Sequence, residues 1–474
     1  MQAGRLNTCL DYPADKMQAA DLRSGNLQVD VKPGIADSSR FKSHWSVEFW
    51  RDFTTDPDKL AAGHPGASRT QAVLQEVVNA VQQAGVFSST SAAAYWAYHV
   101  SRSSFFALQG LASLAATRAA FARKGLDNSS TSVAKNPSLE GTARMLAETM
   151  AMYNQDLVHI QEGLYKLPWD MTTLTHRQYN PLFVARRGLQ FLAEAANTLS
   201  RRLEGKPEPV WLDSAMYPEY YLNTWHYQTD GWLSERSAKI YEVSTETLFL
   251  GRQDAMQRQT LVPISQYMRE VGSPEGQNVK LLEVACGTGR FATFLKDNWP
   301  QMELTALDLS PYYLQEARNN MRHWHTRRAA DLQMGGLEGT GARFLQAPAE
   351  NIPDPNNTYD VVTCIYLFHE LPPDVRRKVV KEMARVVKPG GLVVLTDAYQ
   401  LGDRPANDAF IGAFGDFNEP YFRDYVATDL GALFEEAGLK CDQKLMAASS
   451  KVLSFRKPMQ AASNSPDQIT TMYG

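Results

Sequence analysis

The sequence contains little cysteine. Among its 474 residues there are four, Cys9, Cys286, Cys364 and Cys441, which lie far apart and form no CxxC pair. This pattern predicts neither a disulfide framework nor a thiolate zinc site. We therefore expect a protein of a reducing compartment, either cytoplasmic or, if a transit peptide has been removed, organellar (plastid or mitochondrial).

Long apolar runs and an excess of basic charge are also missing. The most apolar stretch, residues 103–122, is interrupted by Gln109, Ser113 and Arg118, so it predicts a buried amphipathic helix rather than a membrane span. The formal net charge of -4 argues against a nucleic-acid partner. We expect a soluble protein without a transmembrane segment. Peripheral membrane contact, a homo-oligomer and a protein partner bound by the helical region all stay open.

The length of the chain and the changes in residue composition and periodicity along it predict several regions. A chain of 474 residues exceeds what one compact core usually holds. Residues 1–65 predict an irregular arm, residues 66–210 show the periodicity of an α-helical domain, and residues 211–270 predict an aromatic connector or lid. Over residues 271–458, short β-rich runs alternate with helical ones, which is typical of a parallel sheet covered by helices. Residues 459–474 predict a flexible tail.

The most informative stretch is LLEVACGTGR, residues 281–290. An apolar strand ends in an acid, and Gly287 and Gly289 then permit a sharp turn and a close backbone approach. The exposed N–H groups at the start of the next helix favour an anionic ligand group. The following strand ends at Asp308, whose carboxylate suits ribose hydroxyls. These features predict an adenosine cofactor. Residues 287–292 also satisfy the alanine form of GxGxxG, which leaves a dinucleotide open.

Together with LTALDLS and the later segment that ends in KPGGLVVLTD, this turn resembles class I S-adenosylmethionine-dependent methyltransferases. The resemblance is to the small-molecule type related to quinone-biosynthesis enzymes, and it covers roughly residues 215–457. It implies a Rossmann-like α/β domain: a mostly parallel seven-stranded sheet with helices on both faces, preceded here by an α-helical domain. It also implies S-adenosyl-L-methionine as cofactor and S-adenosyl-L-homocysteine as product. We predict no metal.

The resemblance implies a set of cofactor-binding residues. They are Glu283, Ala285, Cys286, Gly287, Gly289, Asp308, Leu309, Ala349, Glu350 and Tyr366. Glu283 would face the methionine ammonium, or alternatively cap the turn, while Asp308 would hold the ribose and Leu309 would flank the adenine. Many relatives place an aspartate before the alanine that contacts adenine, but Pro348 occupies that place here. The N–H of Ala349 and the Glu350 carboxylate are left to bind the base.

Residues on the acceptor side are predicted less directly. Tyr366 would pack near the methyl donor, or would be an ordinary aromatic residue at a strand end. A neutral His369 could remove a proton from the acceptor, although a histidine that caps the next helix is the favoured interpretation. In related enzymes the segment ahead of the sheet folds over the cofactor, and aromatic faces favour a sulfonium. The predicted lid and substrate residues are Tyr220, Tyr221, Trp225, His226, Tyr227 and Tyr421.

The predicted function is transfer of a methyl group to a small, apolar or aromatic acceptor by in-line displacement. Two alternatives stay open. Pro348 and the helical extension allow a cofactor-binding assembly or regulatory protein without turnover. The glycines and Asp308 also allow an NAD(P)-dependent oxidoreductase, but KPGG at residues 388–391 and the lack of a hydride-transfer constellation weigh against it.

Overall fold

The fold is taken from a computed structural model of the chain. It describes residues 39–53, 88–124, 139–204, 215–222, 230–328, 330–332, 341–408, 411 and 419–459, with scattered positions between 62 and 85. Most of the predicted arm and the predicted tail from residue 460 onward lie outside the described residues.

The strands form one mixed sheet. They are β1 (Lys42–Ser43), β2 (Lys280–Val284), β3 (Glu303–Asp308), β4 (Ala342–Gln346), β5 (Tyr359–Ile365), β6 (Val387–Ala398), β7 (Lys440–Ala447) and β8 (Ser450–Arg456). Their order across the sheet is β1-β7-β8-β6-β5-β2-β3-β4, with β2 to β6 parallel and β8 antiparallel to both of its neighbours. The predicted mostly parallel α/β sheet is confirmed, and β1 adds an eighth strand to the seven expected.

Helices precede the sheet and alternate with its strands. They are α1 (Trp45–Asp52), α2 (Thr90–Lys124), α3 (Leu139–Gln161), α4 (Trp169–Thr172), α5 (Pro181–Glu204), α6 (Glu235–Leu248), α7 (Gln253–Arg258), α8 (Leu261–Glu270), α9 (Arg290–Asn298), α10 (Pro311–Arg328), α11 (Pro373–Val386), α12 (Phe422–Val426) and α13 (Leu430–Glu436). Their ends follow local chemistry. Ser234 caps α6 by accepting a hydrogen bond from the N–H of Ser237, and Asp429 caps α13 in the same way.

The described end of the predicted irregular arm is regular. Residues 42 and 43 pair in parallel with β7, and α1 follows directly. Trp50 of α1 is fully buried, and its indole N–H donates to Gln155 in α3 over 2.6 Å. Polar residues dominate the arm as a whole, and its few aromatic residues find a hydrophobic partner only in the folded protein.

The helical region shares its core with the sheet. Tyr95 of α2 and Tyr153 of α3 belong to the same buried hydrophobic cluster as Cys364 of β5 and Leu395 of β6. Gln155 of α3 also donates a hydrogen bond to the Met446 carbonyl in β7 over 2.9 Å. Where the structure describes the predicted connector it is largely helical, since it contains α6, α7 and α8. The domain boundaries themselves stay a prediction.

No helix among the described residues combines the length and apolarity that crossing a bilayer requires. The sheet brings the carboxyl ends of β2, β3 and β5 to one edge. In open parallel sheets this edge is where ligands bind.

Candidate active site

The chain turns sharply directly after β2. Ala285, Gly287 and Gly289 all have left-handed backbone, with φ of +56°, +56° and +69°. A β-carbon on Gly289 would lie 2.9 Å from Cβ of Ala317 in α10, so this position requires glycine for both its dihedral angle and its space. Ala285 adopts the same region despite its side chain, which costs about 1–2 kcal/mol. Strain of this kind concentrates at functional sites.

Asp308, at the end of β3, holds the turn in place. Its carboxylate accepts hydrogen bonds from the N–H groups of Gly287 and Ser310, each over 2.8 Å. Burial raises the pKa of Asp308 to about 6, although these hydrogen bonds act in the opposite direction. Each carboxylate oxygen keeps a second lone pair that a ribose hydroxyl could use.

Glu283 lies in β2 below the turn and is 2% exposed. Its Oε2 atom is buried and has no hydrogen-bond partner among the described residues. Burial, followed by the charge of Asp308, raises the pKa of Glu283 well above its usual range. A buried carboxylate in this state favours a cationic ligand, because the cation stabilises its ionised form. The residues present therefore fit a cofactor with an ammonium group.

A cavity of about 770 Å³, counting its space open to solvent, lies at this edge of the sheet. The predicted residues that line it are Ala285, Gly287, Asp308, Leu309, Ala349, Glu350, Tyr366, Tyr220 and Tyr221. Trp232, Tyr241 and Tyr313 also line it, and their rings pair edge-on with centroids 5.4–5.8 Å apart. Sequence reasoning did not single these three out. The aromatic composition of the connector was the available signal for Trp232 and Tyr241.

Some predicted residues stand behind the cavity wall. The Cys286 side chain packs with Ala306, Leu314 and Ala317 between β3 and α10. Gly289 is the position where the turn meets α10. Tyr421, directly before α12, is not among the residues that line the cavities described here. These residues support or flank the site rather than form its surface.

Part of the predicted lid covers the cavity. The Tyr220 hydroxyl donates a hydrogen bond to Oε1 of Glu350 over 2.7 Å, and Tyr221 stacks on Tyr217 at 6.0 Å between ring centroids. This bond ties the segment ahead of the sheet to the loop after β4. The remaining lid residues, Trp225, His226 and Tyr227, lie outside the described residues.

A second cavity, of about 720 Å³ including open space, adjoins the first. We call it the acceptor cavity and the first one the cofactor cavity, after the roles that we propose for them. Both are lined by Trp232, Tyr241, Tyr366 and Glu370. The other lining residues of the acceptor cavity include His369, Leu248, Phe249 and Phe422. The acceptor cavity therefore offers an aromatic and apolar surface directly beside the cofactor cavity.

The two predicted catalytic residues lie in this shared region. The Tyr366 hydroxyl is 2.7 Å from Oγ of Ser450, and Tyr366 has a φ of +54°, another strained position at a strand end. Nδ1 of His369 lies 2.5 Å from Oδ1 of Asp397. Burial by itself lowers the pKa of His369, but the carboxylates of Asp397 and Glu370 outweigh it and raise this pKa to about 9. His369 is therefore protonated at neutral pH, in contrast to the neutral base considered from the sequence.

Comparisons with known proteins fall on this part of the chain. Residues 281–391 match a family described as a methyltransferase domain. The demethylmenaquinone methyltransferase of Deinococcus radiodurans is 32% identical over 154 residues, which are 32% of this chain and 54% of that enzyme. The demethylmenaquinone methyltransferase of Bacillus licheniformis is 30% identical over 192 residues, or 36% of this chain and 75% of that protein. The solved structure of the YcgJ protein from Bacillus subtilis shares 22% identity, with 38% of this chain and 69% of that chain covered, at a TM-score of 0.28.

The chain spans about half the length of the Deinococcus radiodurans enzyme, so the match concerns one domain. The family match runs from β2 into β6 and includes the glycine turn, Asp308, Ala349 and Tyr366. These are the residues that the structure brings together around the cofactor cavity. The chain therefore belongs to the class I S-adenosylmethionine-dependent methyltransferase family.

Proposed function

We propose that the protein transfers a methyl group from S-adenosyl-L-methionine to a small, apolar or aromatic acceptor. One observation carries this proposal: the cofactor cavity and the acceptor cavity share a wall formed by Trp232, Tyr241, Tyr366 and Glu370. A donor in one cavity and an acceptor in the other would meet at this wall. Positioning of this kind can contribute about 7–11 kcal/mol to catalysis.

The residues of the cofactor cavity have complementary roles in this proposal, together with Glu283, which lies in β2 and is not among the lining residues of that cavity. When bound, the cofactor supplies a methyl group activated by a sulfonium. Glu283 would hold the ammonium of the methionine part and Asp308 the ribose. Many relatives contact the adenine with an aspartate, but Pro348 occupies that position here. The Ala349 N–H and Glu350 would contact the adenine instead. The rings of Trp232 and Tyr241 would exclude water and face the positive sulfur.

His369 would act on the acceptor through its charge. With a pKa of about 9 it is cationic at neutral pH, and Asp397 fixes its orientation through Nδ1. A cationic imidazole beside an acceptor hydroxyl favours the ionised oxygen, which is the better nucleophile. Removal of a proton by His369 itself would require a pH near 9. The catalytic role proposed for His369 is therefore that of a cation that stabilises the ionised acceptor oxygen.

The relatives suggest which acceptors to try first. Proteins named demethylmenaquinone methyltransferase from four organisms match this part of the chain. A quinol is flat, apolar and carries hydroxyl groups, which suits the lining of the acceptor cavity by Leu248, Phe249 and Phe422. The acceptor that we propose is therefore a quinol or a similar phenol.

A direct assay tests the proposal. The purified chain is incubated with S-adenosylmethionine and, separately, with demethylmenaquinol, 1,4-naphthohydroquinone or caffeic acid, and S-adenosylhomocysteine is quantified by mass spectrometry. We expect acceptor-dependent product that is lost in Asp308→Asn. Tight binding of the cofactor without turnover on any of these acceptors would instead favour the assembly or regulatory alternative. A thermal shift with NADPH but none with S-adenosylmethionine would favour the oxidoreductase.

A further inference from the structure

A third cavity lies between the helical region and the helices that cover the sheet, and the proposed function does not involve it. Its volume is about 1,400 Å³ including open space, and most of its walls come from α2, α5, α6 and α7, with Arg290 of α9 and Glu316 of α10. We call it the helical cavity. Phe105 and Phe106 of α2 and Phe183 and Val184 of α5 provide much of its apolar lining. A cavity of this size in a region with no other assigned role requires an explanation.

The helical cavity adjoins the acceptor cavity. Tyr241, Thr245 and Gln253 line both the helical cavity and the acceptor cavity. Tyr241 lines the cofactor cavity as well. One molecule could therefore present its reacting atom at the shared wall and extend its remainder past Thr245 into the helical region.

The charged residues of the helical cavity are already paired. Nη2 of Arg102 lies 2.7 Å from Glu246 and 3.0 Å from Asp254. Arg187 pairs with Glu316 over 3.3 Å. These pairs leave little charge to attract an anion such as a phosphate or a carboxylate. The lining thus suits an uncharged ligand.

Two buried acceptor atoms point to the hydrogen bonds that such a ligand would make. Gln253 and Gln257 both line the helical cavity, and the side-chain carbonyl oxygen of each is buried without a hydrogen-bond partner among the described residues. Gln253 is only 4% exposed. A buried carbonyl without a partner costs free energy, and a donor O–H or N–H on a ligand would remove that cost.

We propose that the helical cavity binds the non-reacting part of the methyl acceptor, and that this part is uncharged, flat and aromatic and donates a hydrogen bond to Gln253 or Gln257. The inference rests on the proposed function, because it extends the acceptor site of the same reaction. It gives the helical extension a role in substrate selection. The molecule that it selects is a neutral polycyclic or aryl-substituted phenol rather than a small anion.

The test uses 2-naphthol as the probe and 2-methoxynaphthalene as the analogue that lacks the donor. Binding to the full chain is measured by equilibrium dialysis. Val184→Trp fills the helical cavity, and Leu182→Trp adds the same ring two residues away at a position that is 81% exposed. We expect Val184→Trp to weaken 2-naphthol binding at least tenfold and Leu182→Trp to leave it unchanged.

Gln253→Leu provides a second test that keeps the volume of the side chain nearly constant. We expect it to weaken 2-naphthol about tenfold, the effect of one lost hydrogen bond, and to change 2-methoxynaphthalene less than twofold. If Val184→Trp does not fold, Gln257→Leu decides the question, because Gln257 lines the helical cavity but not the acceptor cavity. Absence of saturable 2-naphthol binding, or binding that neither Val184→Trp nor Gln253→Leu alters, would overturn the proposal.

Titration with S-adenosylhomocysteine separates this proposal from the proposed function. We expect each of these variants to bind S-adenosylhomocysteine like the unchanged protein. If the unchanged protein does not bind it, the proposed function fails, whatever the 2-naphthol result. If it binds and only the 2-naphthol results are negative, only the inference about the helical cavity fails.

Discussion

His369 and Asp397 form a buried ion pair, with Nδ1 of the imidazole 2.5 Å from Oδ1 of the carboxylate. The same carboxylate accepts a hydrogen bond from the N–H of Phe368 over 2.8 Å. Asp397, at the end of β6, therefore holds both the ring and the backbone of the segment that follows β5. Asp397 at the end of β6 thus orients the side chain of His369, which follows the neighbouring strand β5 and lines the acceptor cavity.

This pair predicts a pH dependence of stability. The folded-state pKa of His369 is about 9, above the value of about 6.5 expected in the unfolded chain. The stabilisation is thus fully present below about pH 6.5 and is lost as the pH rises through 9. We expect the difference in unfolding free energy between the unchanged protein and His369→Gln to shrink by about 3 kcal/mol between pH 6.5 and pH 10. Urea titrations at the two pH values measure it.

The partner variant supplies the control for this prediction. Asp397→Asn removes the charge that raises the pKa of His369. In that background, His369→Gln is expected to cost nearly the same at both pH values. If His369→Gln lowers the unfolding free energy of the unchanged protein equally at both pH values, the pair does not stabilise the fold as an ion pair.

Glu283 predicts a proton release that accompanies cofactor binding. Its raised pKa means that the carboxyl ionises less readily in the free protein, and a bound ammonium would favour the ionised form. Affinity for S-adenosylmethionine should therefore increase as the pH rises. We expect Glu283→Gln to weaken binding about 10–100-fold at pH 8 and to abolish the proton release. Calorimetry in buffers with different ionisation enthalpies measures both quantities.

Glu303→Gln is the matched control, because the Glu303 side chain is 62% exposed at the start of β3 and pairs only with Lys280 among the contacts described. It should change neither the affinity nor the proton count. Equal proton release by Glu283→Gln and the unchanged protein would assign the proton to another group.

Gly289→Ala tests the sharp turn. The new β-carbon would meet Cβ of Ala317 at 2.9 Å in addition to the strain of a φ of +69°. We expect a loss of about 2–4 kcal/mol of unfolding free energy, from overpacking and backbone strain together. Gly272→Ala, with a φ of +67° and open space around it, carries the strain alone and should lose about 1 kcal/mol. Equal losses of unfolding free energy in the two variants would show that α10, which packs against Gly289, moves without a cost in stability.

Tyr220→Phe tests the closure of the cofactor cavity. The change removes the hydrogen bond to Glu350 and leaves the ring in place. We expect S-adenosylhomocysteine to dissociate about 5–20-fold faster, because a hydrogen bond to a charged group is worth about 1–2 kcal/mol here. Stopped-flow fluorescence gives the rate.

Tyr359→Phe removes a comparable bond, to Asp354 over 2.5 Å, at the opposite end of β5. It should leave the dissociation rate of S-adenosylhomocysteine unchanged. If both variants release the ligand at the rate of the unchanged protein, the contact between Tyr220 and Glu350 does not close the cavity.

The cofactor side of the protein could be predicted from the sequence because residues close together in the chain specify it. The glycine turn and the acid at the tip of the next strand are short-range features, since a strand, a turn and a helix start are specified by neighbouring residues. Asp308, Gly287 and Ala349 line the cofactor cavity as predicted. The binding role of each residue stays a prediction.

The acceptor side depends on residues that are distant along the chain. Arg102 meets Asp254, which lies 152 residues away, and Gln155 meets Met446, which lies 291 residues away. No periodicity within a helix indicates which other helix it will face. For this reason the irregular arm was predicted without its strand and helix, and the helical cavity was not predicted.

The sequence by itself determined the family, the strand and helix alternation of the sheet, and the turn that lines the cofactor cavity, because each of these depends on contiguous residues. Only the tertiary structure decided that the helices before the sheet share its core, that Asp397 raises the pKa of His369, and that Tyr241 stands where three cavities meet. Burial and charge pairing depend on which distant segments come together when the chain folds, and that information is spread over the whole chain.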